Sequence, residues 1–171
     1  VEFNITLDHS HVIFKINNPK EQKIYNTKEK ILAGELILDP FIRGNVVEEW
    51  INSGWVKHCH ARSAIPNNPL NIYGKHPDGT VGRGIQYPFK KPNNDEYHSL
   101  WEEKLLDPWK ECILKLMKYH AKDPKSKLGQ ISTEFIPNTD YGEGCKYSLF
   151  EQGVECTKWM RKSWQKIIKE I

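Results

Sequence analysis

"WVKHCHARS", residues 55–63, decides how the rest of the chain is read. It opens on apolar residues, alternates through Lys57 to Ala61, and ends in polar ones. That pattern predicts a strand over 55–61. Side chains two apart in a strand share a face, so His58, His60 and Arg62 point one way and Cys59 and Ala61 the other. A small residue such as Ala61 suits packing against a helix. His60 lies nearer the carboxyl end of the strand than His58, which makes it the better metal ligand. His58 is then a buried neighbour lower in the sheet.

Working outward, two more segments read as strands. "FNITLDHS", residues 3–10, is apolar and β-branched before it ends in polar groups, and "LGQISTEFIP", residues 128–137, is closed by Pro137. Between them lie helical patterns. "NVVEEWINSG", residues 45–54, places Val46, Val47, Trp50 and Ile51 at helical spacing, with Asn45 as N-cap and Gly54 as stop. Residues 95–123 carry Leu100, Trp101, Leu105, Trp109, Ile113, Leu116 and Met117 on one face, with a restart at Asp107-Pro108. Residues 147–171 form an amphipathic helix with Leu149, Phe150, Val154, Trp159, Met160, Trp164 and Ile168 inward. Residues 17–30 are polar and read as loop, or as loop plus an irregular helix. A run rich in Pro, Gly and Asn, residues 63–94, reads as one long loop at the carboxyl end of the strands, and a loop of that length in a compact domain is usually functional. The order β-α-β-α-β-α predicts an α/β fold with a parallel sheet, in one domain over 1–171.

Composition narrows the function. With 171 residues, 38% hydrophobic and 27% charged, the chain is long enough for one packed core. Its net charge is only +3, which does not favour nucleic acid as a partner. The most basic stretch, residues 158–170, reads as the solvated side of a helix. No apolar run approaches the length of a membrane span. Four scattered cysteines, Cys59, Cys112, Cys145 and Cys156, form no C-x-x-C pair. They read as free thiols of a reducing cytosol, so a cytoplasmic location is expected.

Each predicted strand ends in polar residues: Asp8 to His11, then His58, His60 and Arg62, then Glu134. Ligands of parallel α/β folds bind at that end of the sheet. Asp8, His60 and Glu134 therefore read as a metal or substrate site, one residue from each strand. Carboxylate and imidazole donors suit Mn, Co, Mg, Zn or Fe without choosing among them. Asp8 as a cap, the histidines as satisfied sheet residues and Glu134 as an ion-pair partner are the plainer readings.

"LDHSH", "HCHAR" and "STEFIP", in this order, resemble the xylose isomerase-like TIM barrels, the superfamily of sugar and sugar-phosphate isomerases and epimerases that also holds AP endonuclease family 2. "GRGIQYPFKKPNNDEYHSLWEE", residues 82–103, is similar to that family's extended segment after the metal histidine. The resemblance implies a partial (β/α)8 TIM barrel made of about its last three βα units. It implies a divalent metal (Mn, Co, Mg or Zn) on Asp8, His60 and Glu134, with Glu134 also acid/base and with His11 and Arg62 on the substrate. The substrate would be a small sugar or sugar phosphate, isomerised by proton transfer through an ene-diolate or by hydride shift. The family's second glutamate has no match, since Glu2 stands at the wrong end of the first strand. The missing N-terminal half of the barrel, or a second chain, would complete the site, and a homo-oligomer is left open. An AP endonuclease-like DNA-repair enzyme and a non-catalytic fragment or partner chain are the alternatives.

Overall fold

A computed structural model describes residues 3–171; Glu2 lies outside them. Three strands form a parallel sheet: β1 (Ile5–Asp8), β2 (Val56–Ala61) and β5 (Gln130–Thr133), in the order β1-β2-β5. The mixed α/β class and the parallel sheet of the sequence reading are both present. The register aligns Asp8 with His60 and His60 with Ser132. Residues two apart share a face, so Glu134, two beyond Ser132, continues the row that contains Asp8 and His60. This register brings the three strand ends to one place.

β1 is shorter than expected and stops at Asp8 for a local reason. The carboxylate Oδ1 of Asp8 accepts the backbone N–H of Ser10 at 2.9 Å and its hydroxyl at 2.6 Å. This turn, built by a side chain on its own backbone, diverts the chain into α1 (Ser10–Ile13). The polar segment that follows holds two short helices, α2 (Pro19–Ile24) and α3 (Lys28–Leu32). Asn18 caps α2 and Pro19 opens it. The helix expected over 45–54 is α4 (Val46–Asn52). Asn45 Oδ1 accepts Glu48 N–H at 2.9 Å as its N-cap, and Gly54 ends the turn at φ +75°.

The long segment 63–94 is not structureless. It contains an antiparallel hairpin, β3 (Asn71–Lys75) and β4 (Val81–Gly82). Two glycines around Arg83 let this hairpin dock. A Cβ on Gly82 would meet the carbonyl of Thr139 at 1.8 Å, and one on Gly84, at φ +72°, that of Pro69 at 1.8 Å. Arg83 is thereby fixed between two close backbone approaches.

The main helices are α5 (Asp107–Lys122), preceded by a 3-10 turn over Glu103–Leu106, and α6 (Leu149–Ile167). They cover one face of the sheet. Cys59 and Ala61 are fully buried there among Trp109, Cys112, Ile113, Leu116 and Cys156. This is the face that alternation in β2 assigned to the core. Burial of this apolar layer is the main stabilising term, at roughly 25 cal/mol per Å².

Four expected core residues are not core. Leu100 is 69% exposed because the helix begins only at Asp107, with Pro108 in its first turn, so residues before the 3-10 turn follow an irregular path. Leu105 lies in that 3-10 turn and is also exposed. Phe150 (81% exposed), in the first turn of α6, and Ile168, its C-cap, are left outside the core at the two ends of the helix. Among the described residues no helix is long and apolar enough to cross a membrane.

Candidate functional site

The uncovered face of the sheet carries the polar row. Its lower part is a ladder across the three strands: His58 lies with Nδ1 3.4 Å from Thr6 Oγ1 and Nε2 3.1 Å from Ser132 Oγ. Gln130 donates to the same Ser132 oxygen at 2.7 Å. The ring of His58 meets that of His60 edge-on, with centroids 4.9 Å apart. His58 is thus held by hydroxyls and packs under His60, half-buried.

Above it, one potential ligand atom each from Asp8, His60 and Glu134 comes within 4.8 Å of the others. Among the described residues this is the cluster of three such groups that could hold a metal ion. His60 Nδ1 lies 3.1 Å from Glu134 Oε2. All three residues are of intermediate burial, so the cluster is reachable from outside.

Arg62 is more deeply placed than its sequence reading as a substrate contact implies. It is 3% exposed and lies between the two carboxylates. Nη1 donates to Asp8 Oδ2, Nη2 to Glu134 Oε2, and Nε to the Glu134 backbone carbonyl at 3.1 Å. Its guanidinium stacks 4.1 Å from the centroid of the Tyr141 ring. A planar fork of donors that is always charged suits two carboxylates on the strands either side of β2. Burial is the main force raising the Tyr141 phenol above its ordinary value, and Arg62 partly opposes it.

His11 lies at the rim with Nε2 3.6 Å from Asp8 Oδ2 and its ring 6.2 Å from Tyr141. Burial lowers its pKa, the Asp8 charge opposes this, and the cations Arg62, Lys15 and Arg83 lower it further. Its neighbour His9 is fully buried, with both ring nitrogens unpartnered, and burial pushes its pKa down to about 4 against the pull of Asp8.

The cluster passes a chemical test for a divalent cation. Two carboxylates and one imidazole are the mixed oxygen and nitrogen donors that Mn, Co, Zn or Fe accept. Arg62 already binds one oxygen of each carboxylate. Asp8 Oδ1 is taken up by Ser10, whereas Glu134 Oε1 accepts none of these bonds. Each carboxylate oxygen has two lone pairs, so Arg62 narrows the site without closing it.

The sequence therefore named Asp8, His11, His60, Arg62 and Glu134, and the fold brings all five together. It missed Tyr141, which stacks on Arg62, and gave no role to Ser10, which donates to Asp8. It also missed Arg83, just after the hairpin, whose charge acts on His11 and Tyr141. The glycines on either side of Arg83 were a signal that its backbone needed close approach. No family model matches the chain, and no curated protein or solved structure matches it.

Proposed function

We propose that this chain carries part of the active site of a divalent-metal-dependent sugar or sugar-phosphate isomerase or epimerase, on a sheet belonging to a partial (β/α)8 barrel. The observation that carries the reading is the convergence of Asp8, His60 and Glu134 from the carboxyl ends of three parallel strands. Polar groups at that end of a parallel sheet, with an apolar opposite face, are what a barrel interior requires. β1 and β5 each have one unpaired side within the described sheet. Further strands, from this protein or a partner, would cover them and supply the second acid/base group.

In this reading Asp8, His60 and Glu134 hold the cation. Bound there, a divalent ion would polarise a carbonyl and its adjacent hydroxyl and stabilise ene-diolate charge. The chain's own groups then have separate tasks. Glu134 has Oε1 free to take or return a proton, while Oε2 is held by Arg62 and His60. Arg62 fixes both carboxylates in position and adds positive charge beside the reacting oxygens. His11, at the rim next to Asp8, is placed to meet a substrate hydroxyl.

The test is incubation of the protein with Mn2+, Co2+ or Mg2+ and a panel of aldoses, ketoses and their phosphates in D2O. NMR reads both product and deuterium. Product with deuterium at the carbon next to the carbonyl indicates proton transfer; product without it indicates hydride shift. Either outcome, lost in Glu134→Gln, supports the proposal. Absence of product with every sugar and every metal, in the complete protein, contradicts it.

A further inference from the structure

Seven residues beyond Asp8, the chain places a cation that nothing in the sheet uses. Lys15 is half-buried on the short loop after α1. Its Nζ lies 4.1 Å from the Tyr25 ring centroid and 5.6 Å from that of Phe14. Arg83 stands over the same two rings, with Cζ 5.4 Å from Tyr25 and 5.3 Å from Phe14. Two positive groups from distant parts of the chain thus share one aromatic pair.

Their counter-charges are unequally divided. Arg83 donates two-pronged to buried Glu21, from Nε to Oε1 at 3.1 Å and from Nη2 to Oε2 at 2.7 Å. Asp140 lies behind it, accepting His76 at 2.9 Å and the Arg83 backbone N–H at 3.0 Å. Lys15 has neither a hydrogen bond nor an ion pair from its ammonium to any described residue. Its remaining partners are π faces, a weaker and less directional attraction than an oxyanion would give. Burial and the charge of Arg83 both act against its ionised form, with Glu21 partly offsetting them. Tyr25 accepts Arg83 Nη2 at 2.9 Å, so its own O–H remains available to donate.

This cationic corner adjoins the strand-end cluster. His11 stands between the two, its ring 6.2 Å from Phe14 and its Nε2 3.6 Å from Asp8. We infer that Lys15, supported by the charge of Arg83 and the hydroxyl of Tyr25, is an oxyanion subsite that holds the acidic end of the substrate. The sugar taken by the site is then an anionic one, a phosphate monoester or a sugar acid. The sugar part rests on the proposed function; the anion subsite stands without it. Glu21 and Asp140 both pair with Arg83 and balance the formal charge of the corner, so a free anion is held by the unpaired Lys15 ammonium alone and binds weakly and in a salt-sensitive way.

The experiment is calorimetric titration of the metal-free protein at low ionic strength with inorganic phosphate, acetate and neutral xylose. Saturable binding of phosphate or acetate is expected, weakened about tenfold or more in Lys15→Met and restored in Lys15→Arg, with folding of both variants checked by circular dichroism. Tighter phosphate assigns a phosphate ester and tighter acetate a sugar acid. Binding of neither anion, or binding equal in Lys15→Met and the parent, overturns the subsite. The titration contains no metal, so a failure of the strand-end cluster to bind one leaves its result unchanged. Conversely, an absent anion site leaves isomerase chemistry on neutral sugars intact.

Discussion

Arg62 donates from Nη1 to Oδ2 of Asp8, so one oxygen of the candidate ligand is already bound to a fixed positive charge. The bond links the end of β1 to the end of β2 and, through the other arm of the guanidinium, to Glu134 after β5. One side chain after the central strand therefore balances two carboxylates on the strands that flank it. It also sets the terms on which any cation enters.

Arg62→Met should expose this balance. Removing one partner of a buried pair leaves uncompensated charge and costs roughly 3–5 kcal/mol; with Glu134 31% exposed, about 3 kcal/mol is expected. Urea unfolding measures it. A divalent cation should restore more stability to Arg62→Met than to the parent, because the two carboxylates then lack their other positive partner. Equal stabilisation of both proteins by Mn2+ would show that the carboxylates are not its ligands.

Mild acid should destabilise the protein through its buried histidines. His9 is buried with its pKa pushed down to about 4, and His120, held between Val56 O and Ser126 Oγ, is also lowered by burial. Both bind protons more readily in the unfolded chain, near pH 6.5. Their stabilising contribution is present above that pH and is lost as the pH falls through each folded-state value, which for His9 is about 4, at up to about 1.4 kcal/mol per pH unit. The urea midpoint should fall between pH 7.5 and pH 5. An unchanged midpoint would mean that these imidazoles are not buried in neutral form.

The hairpin should depend on its glycines. Gly84→Ala adds a Cβ at positive φ against the carbonyl of Pro69. Overpacking costs roughly 1–3 kcal/mol, and the positive φ adds about 1. Gly79→Ala is the control: it shares a positive φ of +83° but has open space around it, so only the backbone cost remains. Thermal unfolding of the two variants should separate them. Equal losses would remove the steric argument for how Arg83 is positioned.

Much of this architecture was legible in the sequence, and the exceptions have physical causes. Alternation in β2 separated Cys59 and Ala61, both fully buried, from the polar row of His58 and His60. Asn45 and Gly54 marked both ends of α4 because a cap and a left-handed turn are local requirements. The burial of Arg62 between Asp8 and Glu134 was not legible. A buried arginine is specified by partners 54 and 72 residues away, which strand alternation does not report. The hairpin was hidden for a similar reason: its short strands, with Gly74 and Gly82 in them, have no apolar period. The inward face assigned to α6 failed at Phe150 and Ile168, in its first turn and at its C-cap, since periodicity reports a helix's apolar face but not whether another element covers it.

The central claim is that Asp8, His60 and Glu134 are ligands of one divalent cation. Anomalous diffraction from crystals grown with Mn2+, of the parent and of His60→Ala, tests it most directly. The account predicts a peak at about 2.0–2.2 Å from one oxygen each of Asp8 and Glu134 and one nitrogen of His60. It also predicts that the peak disappears in His60→Ala. A parent crystal with no peak there, and with Arg62 still joined to both carboxylates, would contradict it.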